Sequence, residues 1–218
     1  MLDSIKNLLF DLDGTLVDSS GTISASLEYA LDRMGSGPLS GVSVQSLIGR
    51  PLLDIFQREF AMDAKQATEA IELYREHYDG LGREGTSVYA DVPEVLAALS
   101  LAGYRLYVAT VKPTSIAEKV LVDFQLRDHF SGVAGASMGP ERRDKASIIA
   151  HALERYKLDA GHSLMVGDRR QDIDGARENG LPAIGVTYGF GSREELDSAR
   201  PAGIVERSSE IATLLLAD

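Results

Sequence analysis

Residues 10–15 read Phe-Asp-Leu-Asp-Gly-Thr: an apolar run that delivers two carboxylates, Asp11 and Asp13, ahead of a glycine where the chain can turn sharply. In open α/β sheets ligands bind beyond the carboxyl ends of the strands, so acids in this setting are candidates for catalysis. The plainer alternative is a strand-end turn whose acids cap backbone amides. A calcium loop is disfavoured, because Leu16 stands at its glycine position and Thr22 at its terminal glutamate position. A second stretch repeats the pattern. Val166-Gly167-Asp168 runs from a strand into an acid, and Asp172 follows four residues later at the opening of a helix. Gathered in one crevice, Asp11, Asp13, Asp168 and Asp172 would repel one another strongly without a cation. Hard oxygen ligands with room for water and phosphate oxygens favour Mg²⁺.

Two further positions extend this chemistry. Thr110 ends an apolar strand candidate, with Pro113 at a helix-starting position. A hydroxyl and free amides at a helix amino terminus can cradle phosphate, although a threonine there can equally be only a cap. Lys145 opens a helix, where a cation opposes the macrodipole by about 0.3–1 kcal/mol unless carboxylates or a bound phosphate compensate it. Lys112, Arg142 and Arg143 compete for the same role. The four histidines, His77, His129, His151 and His162, show no zinc spacing. Gly189-Phe190-Gly191 has Glu194 where a dinucleotide site needs its third glycine.

The elements that must position these residues alternate short apolar runs with amphipathic stretches, as parallel-sheet α/β proteins do. Strands are expected at Asn7–Asp11, Arg105–Thr110, Gly132–Ala136, Ser163–Gly167 and Ala183–Thr187. Val92, Val95, Leu96 and Leu99 give one helical face, with Gly103 placed to stop it, and Ala146, Ile149, Ala150 and Leu153 give another. Between about Ser20 and Gly80 the alternation lapses into helical periods alone. Leu27, Ala30, Leu31 and Met34 form one face, and Ala67, Ala70, Ile71, Tyr74 and Tyr78 form a second. The turn-rich Gly35–Gly41 stretch separates helices, and glycines 80, 82 and 85 mark the return to the sheet. This reads as a small helical insertion with two connections, a lid able to move.

Composition narrows the partners. With 218 residues the chain suits one large domain, or one domain with an appendage. The net charge of −11 repels phosphate backbones and anionic lipid, which argues against nucleic-acid polymers and membranes. The absence of cysteine removes disulfides, thiolate nucleophiles and cysteine-based zinc sites. No apolar run approaches the roughly 18 residues of a membrane span, and the amino terminus does not read as a signal peptide. A cytoplasmic location is expected.

The order Asp11-x-Asp13-Gly14-Thr15, Thr110, Lys145 and Gly167-Asp168-x-x-x-Asp172 resembles the haloacid dehalogenase superfamily over nearly the whole chain. Phe-Asp-Leu-Asp-Gly-Thr-Leu-Val-Asp-Ser and Gly-Asp-Arg-x-x-Asp-Ile are similar to its phosphoglycolate phosphatase-like and 5′-nucleotidase-like group. The resemblance implies a Rossmann-like parallel-sheet core, residues 1–18 and 86–218, with an α-helical cap inserted at 19–85. It implies a phosphatase for small phosphomonoesters, with phosphoglycolate and nucleoside 5′-monophosphates as leading substrates. Asp11 would form an aspartyl-phosphate. Asp13 would protonate the leaving alcohol and then activate water. Thr110 and the amides of Val111 and Lys112, with Gly14 and Thr15, would hold phosphate, and Lys145 would neutralise Asp11. Asp11, the Asp13 carbonyl and Asp168 would bind Mg²⁺, with Asp172 in support.

Two positions depart from the common pattern: Val111 replaces an asparagine, and Ala146 replaces a proline after Lys145. In the insertion, Arg50 is a candidate contact for a second anionic group on the substrate, or else a solvent-facing arginine near a turn. A monomer or homodimer is expected. The alternatives are a β-phosphoglucomutase-like mutase and, in a different class, a phospho-accepting receiver domain. The helical insertion after the first strand disfavours the receiver.

Overall fold

A computed structural model describes residues 4–39, 41–137 and 141–216. Ser40, within the turn-rich stretch, lies outside them. The chain begins with β1 (Asn7–Phe10), β2 (Val17–Asp18), α1 (Ser20–Arg33), α2 (Val44–Leu47), α3 (Leu52–Arg58), α4 (Ala64–Leu81) and β3 (Ser87–Val88). It continues with α5 (Val92–Leu101), β4 (Arg105–Pro113), α6 (Thr114–Asp123), β5 (Gly132–Ala136), α7 (Lys145–Tyr156) and β6 (Ser163–Gly167). The last elements are α8 (Arg170–Glu178), β7 (Ala183–Val186), α9 (Arg193–Ala199), β8 (Gly203–Val205) and α10 (Ser208–Leu216). Two compact units result: Met1–Val17 with Val88–Asp218, and Asp18–Ser87.

The larger unit is an α/β fold around a six-stranded parallel sheet in the order β5-β4-β1-β6-β7-β8. Both faces of its central strands are buried, which is why they read as continuous apolar runs. Leu8 and Phe10 of β1 join Leu106, Val108, Leu164 and Val166 in a core covered by α5, α6 and α10. Leu9, Tyr107, Ala109 and Met165 point the other way, beneath α7, α8 and α9. Phe10 is level with Val108 on one side and Val166 on the other, so the ends of β1 and β6 are aligned. The helices switch faces between these two neighbours, the place where doubly wound sheets open a crevice.

The smaller unit has no strand between Ser20 and Leu81 among the described residues. Leu27, Ala30 and Leu31 of α1 and Ala67, Ala70, Tyr74 and Tyr78 of α4 are its buried faces. The start of α4 is fixed by Asp63, whose carboxylate accepts from Lys65 N (2.9 Å) and Gln66 N (2.8 Å) while Gln66 Oε1 accepts from Asp63 N (3.0 Å).

Three details differ from expectation. Strand β4 continues past Thr110 to Pro113, with an irregularity in its pairing with β5 between those residues. Pro113 therefore precedes α6 as its cap, not its first turn. The buried face of α7 is Lys145, Ile148, Ile149 and Ala152, one residue out of register with the expected set, and Ala150 is exposed. Both sets have helical spacing, and the inward lysine selects between them. Finally, β2, β3 and β8 fall outside the expected strands; two or three residues carry little periodicity.

Candidate active site

The site lies at the carboxyl ends of β1, β4 and β6. Directly after β1, Asp11 is buried, and its Oδ1 accepts from Leu12 N–H at 2.8 Å. Lys145, the first residue of α7, places Nζ 2.8 Å from Asp11 Oδ1 and 2.7 Å from Asp172 Oδ1, and donates to the Ala109 carbonyl at 2.9 Å. The unfavourable position of a cation at a helix start is thus compensated by two carboxylates. Burial alone would favour the neutral amine, yet Asp11 and Asp172 outweigh it and hold the Lys145 pKa above the ordinary lysine range.

Asp168 follows β6 directly and is fully buried. Its Oδ1 accepts from Thr15 Oγ1 (3.3 Å) and its Oδ2 from Phe190 N–H (2.8 Å). Burial, with Asp172 and Asp11 beside it, pushes this carboxyl well above the usual carboxylate range, against the Phe190 N–H and Arg169. Asp172, in the first turn of α8, accepts from Arg169 N–H at 3.0 Å. Burial pushes its pKa up to about 6 although Lys145 pulls it down.

One carboxylate oxygen from each of Asp11, Asp168 and Asp172 lies within 4.8 Å of the others. Asp172 Oδ1 has the Lys145 ammonium beside it but receives no well-directed hydrogen bond. Three buried carboxylates against one ammonium, two of them raised in pKa and one with an unsatisfied oxygen, are a donor set that fits a hard cation. Gly14 makes the close approach of the two strand ends possible. At φ +84° it is in the left-handed region, and a Cβ there would overlap the Asp168 carboxylate.

Asp13 stands apart from that trio. Lys112 Nζ lies 2.7 Å from both of its carboxylate oxygens. The irregular stretch of β4 delivers this lysine, and Thr110 Oγ1 accepts from Lys112 N at 3.3 Å. Val111 sits in the same stretch, half-buried. The two competing lysines therefore take different carboxylates, Lys145 that of Asp11 and Lys112 that of Asp13. Arg142 instead donates to the Gly135 carbonyl at 2.9 Å. Arg50 belongs to the smaller unit, where it pairs with Glu59 at 2.7 Å.

Sequence reasoning missed the segment after β7. Tyr188 donates its hydroxyl to the Thr15 carbonyl (2.9 Å), and Phe190 supplies the amide that holds Asp168. Burial first, then Asp168 and Tyr89, push the Tyr188 pKa up, so the hydroxyl remains a donor. The sole trace in the sequence is the pair Gly189 and Gly191.

The haloacid dehalogenase-like hydrolase family profile matches residues 8–186. A 5′-nucleotidase of Pseudomonas aeruginosa is 40% identical over 195 residues, covering 89% of this chain and 88% of that protein. A phosphoglycolate phosphatase of Neisseria gonorrhoeae is 30% identical over 223 residues, covering 96% and 93%. The tyrosine-protein kinase PtkA of Mycobacterium tuberculosis is 35% identical over 196 residues, and the chain spans 66% of it. A solved structure of PtkA superposes with a TM-score of 0.83 at 33% identity, covering 98% of this chain and 99% of that one. The chain belongs to the haloacid dehalogenase-like hydrolase family. Within it, the chain is a phosphatase-type hydrolase. Among the described residues no helix is long and apolar enough to cross a membrane.

Proposed function

We propose that the chain is a Mg²⁺-dependent phosphatase that hydrolyses small phosphomonoesters, phosphoglycolate or nucleoside 5′-monophosphates, through an aspartyl-phosphate on Asp11. The observation that carries this reading is the Lys145 ammonium bridging Asp11 and Asp172 beside Asp168 at adjoining strand ends. Asp11 Oδ1 is held by Leu12 N–H and Lys145, which leaves Oδ2 to attack phosphorus. As that bond forms, the bond from phosphorus to the alcohol oxygen breaks, and Asp13 gives the leaving oxygen its proton. Asp13 then takes a proton from the water that cleaves the aspartyl-phosphate, releasing inorganic phosphate and restoring Asp11. Lys112 pairs with the Asp13 carboxylate in the resting site, and an incoming phosphate draws that ammonium towards itself, so that Asp13 takes up from solvent the proton it gives to the leaving oxygen. Thr110, the amides of Val111 and Lys112, and Gly14 and Thr15 line the phosphate position.

Asp11, Asp168 and Asp172, with the Asp13 carbonyl, would hold the cation. When bound, it neutralises charge on the transferring phosphoryl group. The insertion Asp18–Ser87 acts as a cap that selects substrate, and Arg50 leaves Glu59 to meet a second anionic group. The protein works in the cytoplasm as a monomer or homodimer. The phosphatase and nucleotidase relatives favour hydrolysis over the mutase alternative. The test is phosphate release from phosphoglycolate, nucleoside monophosphates and hexose phosphates, with and without Mg²⁺, in the native protein and in Asp11→Asn. Metal-dependent release that Asp11→Asn abolishes is expected. Full activity in Asp11→Asn would overturn the mechanism.

A further inference from the structure

Resting on the cation reading above, we infer that residues Tyr188–Glu195 are a clasp on the turn bearing Asp168, and that this clasp sets how tightly the site holds its cation. The segment touches two strand-end turns at once. From the β1 turn, the Thr15 carbonyl accepts the Tyr188 hydroxyl (2.9 Å), while Thr15 Oγ1 donates to Asp168 Oδ1 (3.3 Å). From the β6 turn, Asp168 Oδ2 accepts Phe190 N–H (2.8 Å). Both oxygens of one buried carboxylate are therefore fixed, one by Thr15, which Tyr188 pins, and the other by the clasp itself.

The far end of the clasp grips the next two residues. Glu195 Oε1 accepts from Arg169 Nε (2.9 Å) and from Arg170 N (2.8 Å). Glu195 is itself placed by Ser192, whose Oγ accepts from Glu195 N at 3.1 Å. Between the two ends, the main chain lies directly on the turns. A Cβ at Gly189 would overlap the Gly14 carbonyl oxygen, and one at Gly191 would overlap the carbonyl oxygen of Asp168. The ring of Tyr188 is braced edge-on by Tyr89, with centroids 4.9 Å apart. Tyr188 and Glu195 are thus positioning residues, one acting through Thr15 and the other through the backbone on the carboxyl side of Asp168.

Groups that orient a metal ligand without touching the metal commonly change its affinity by about 10- to 100-fold when removed. The experiment is Mn²⁺ titration of the full chain without substrate, read by the electron paramagnetic resonance signal of free Mn²⁺, with thermal melts of every variant. Tyr188→Phe and Glu195→Ala are expected to raise the Mn²⁺ Kd roughly tenfold. Glu195→Gln keeps an acceptor oxygen and is expected to restore it to within about threefold of the native value. Melting points that fall while the Kd stays within about twofold of native, with Asp168→Asn still abolishing binding, would reduce the clasp to packing and overturn the inference alone. A native protein that binds no Mn²⁺, or Asp168→Asn that binds as the native protein does, would overturn the cation reading and this inference with it.

Discussion

Lys145→Met removes the one ammonium lying between Asp11 and Asp172 while keeping most of the side-chain volume. Breaking a buried ion pair by deleting one partner costs about 3–5 kcal/mol, because the remaining charge stays buried. In a chain of this size that lowers the melting temperature by roughly 6–20 °C. The loss depends on pH in a definite sense. The folded pKa of Asp172 is raised from 3.8 to about 6, so its ionisation costs stability as pH rises across that interval. The cost is about 3 kcal/mol and is complete above pH ~6. The raised pKa of Lys145 contributes stability that stays constant throughout this acidic range.

Without Lys145, the Asp172 pKa climbs further, so in the variant this group goes on costing stability above pH 6, where Asp172 of the native protein is already ionised. The melting gap between the two proteins should therefore widen from pH 5 to pH 7.5. Towards pH 5 it should shrink by about 1.4 kcal/mol per pH unit for each proton taken up. Circular-dichroism melts in chelator at pH 5, 6 and 7.5 give this directly. A gap of the same size at every pH, or a variant that melts with the native protein at pH 7.5, would refute the electrostatic account.

The other predictions follow from neighbouring contacts. Lys112→Met strips Asp13 of its bidentate partner at the margin of the site, where some solvent reaches both groups. It should cost much less in melting temperature than Lys145→Met yet lower kcat by about 10²-fold, as measured by phosphate release. Mg²⁺ at about 100 times its Kd should add roughly 2.7 kcal/mol of stability, more at pH 7.5 than at pH 5 because protonated carboxyls compete with the ion; thermal shift against Mg²⁺ concentration checks both. Arg50→Ala should raise the Michaelis constant for the best substrate about tenfold and leave kcat near native, the mark of lost uniform binding. An unchanged Michaelis constant removes Arg50 from the substrate site.

What the sequence discloses depends on whether a contact has a side-chain signature. Strands β1, β4, β5, β6 and β7 are legible because parallel strands buried on both faces must be apolar runs, and the acids after Phe10 and Gly167 end two of them. The ion pairs of Lys145 and Lys112 are legible only as a choice among four cations, Lys145, Lys112, Arg142 and Arg143, since sequence distance says nothing about which carboxylate each reaches. The register of α7 is ambiguous because Ala146, Ile149, Ala150 and Leu153 have the same spacing as the set actually buried, and a lysine is not expected to face inward. The clasp is the least visible part. Its donor to Asp168 is the backbone amide of Phe190, which any residue but proline could supply, and its acceptor in the β1 turn is the backbone carbonyl of Thr15. Only where two main chains must pass closer than a Cβ allows does such a contact constrain residue type, and there it leaves glycine, as at 189 and 191. A pair of glycines that completes no phosphate-binding loop, placed just after a strand whose neighbour β6 ends in an acid, therefore points to backbone packed on that acid.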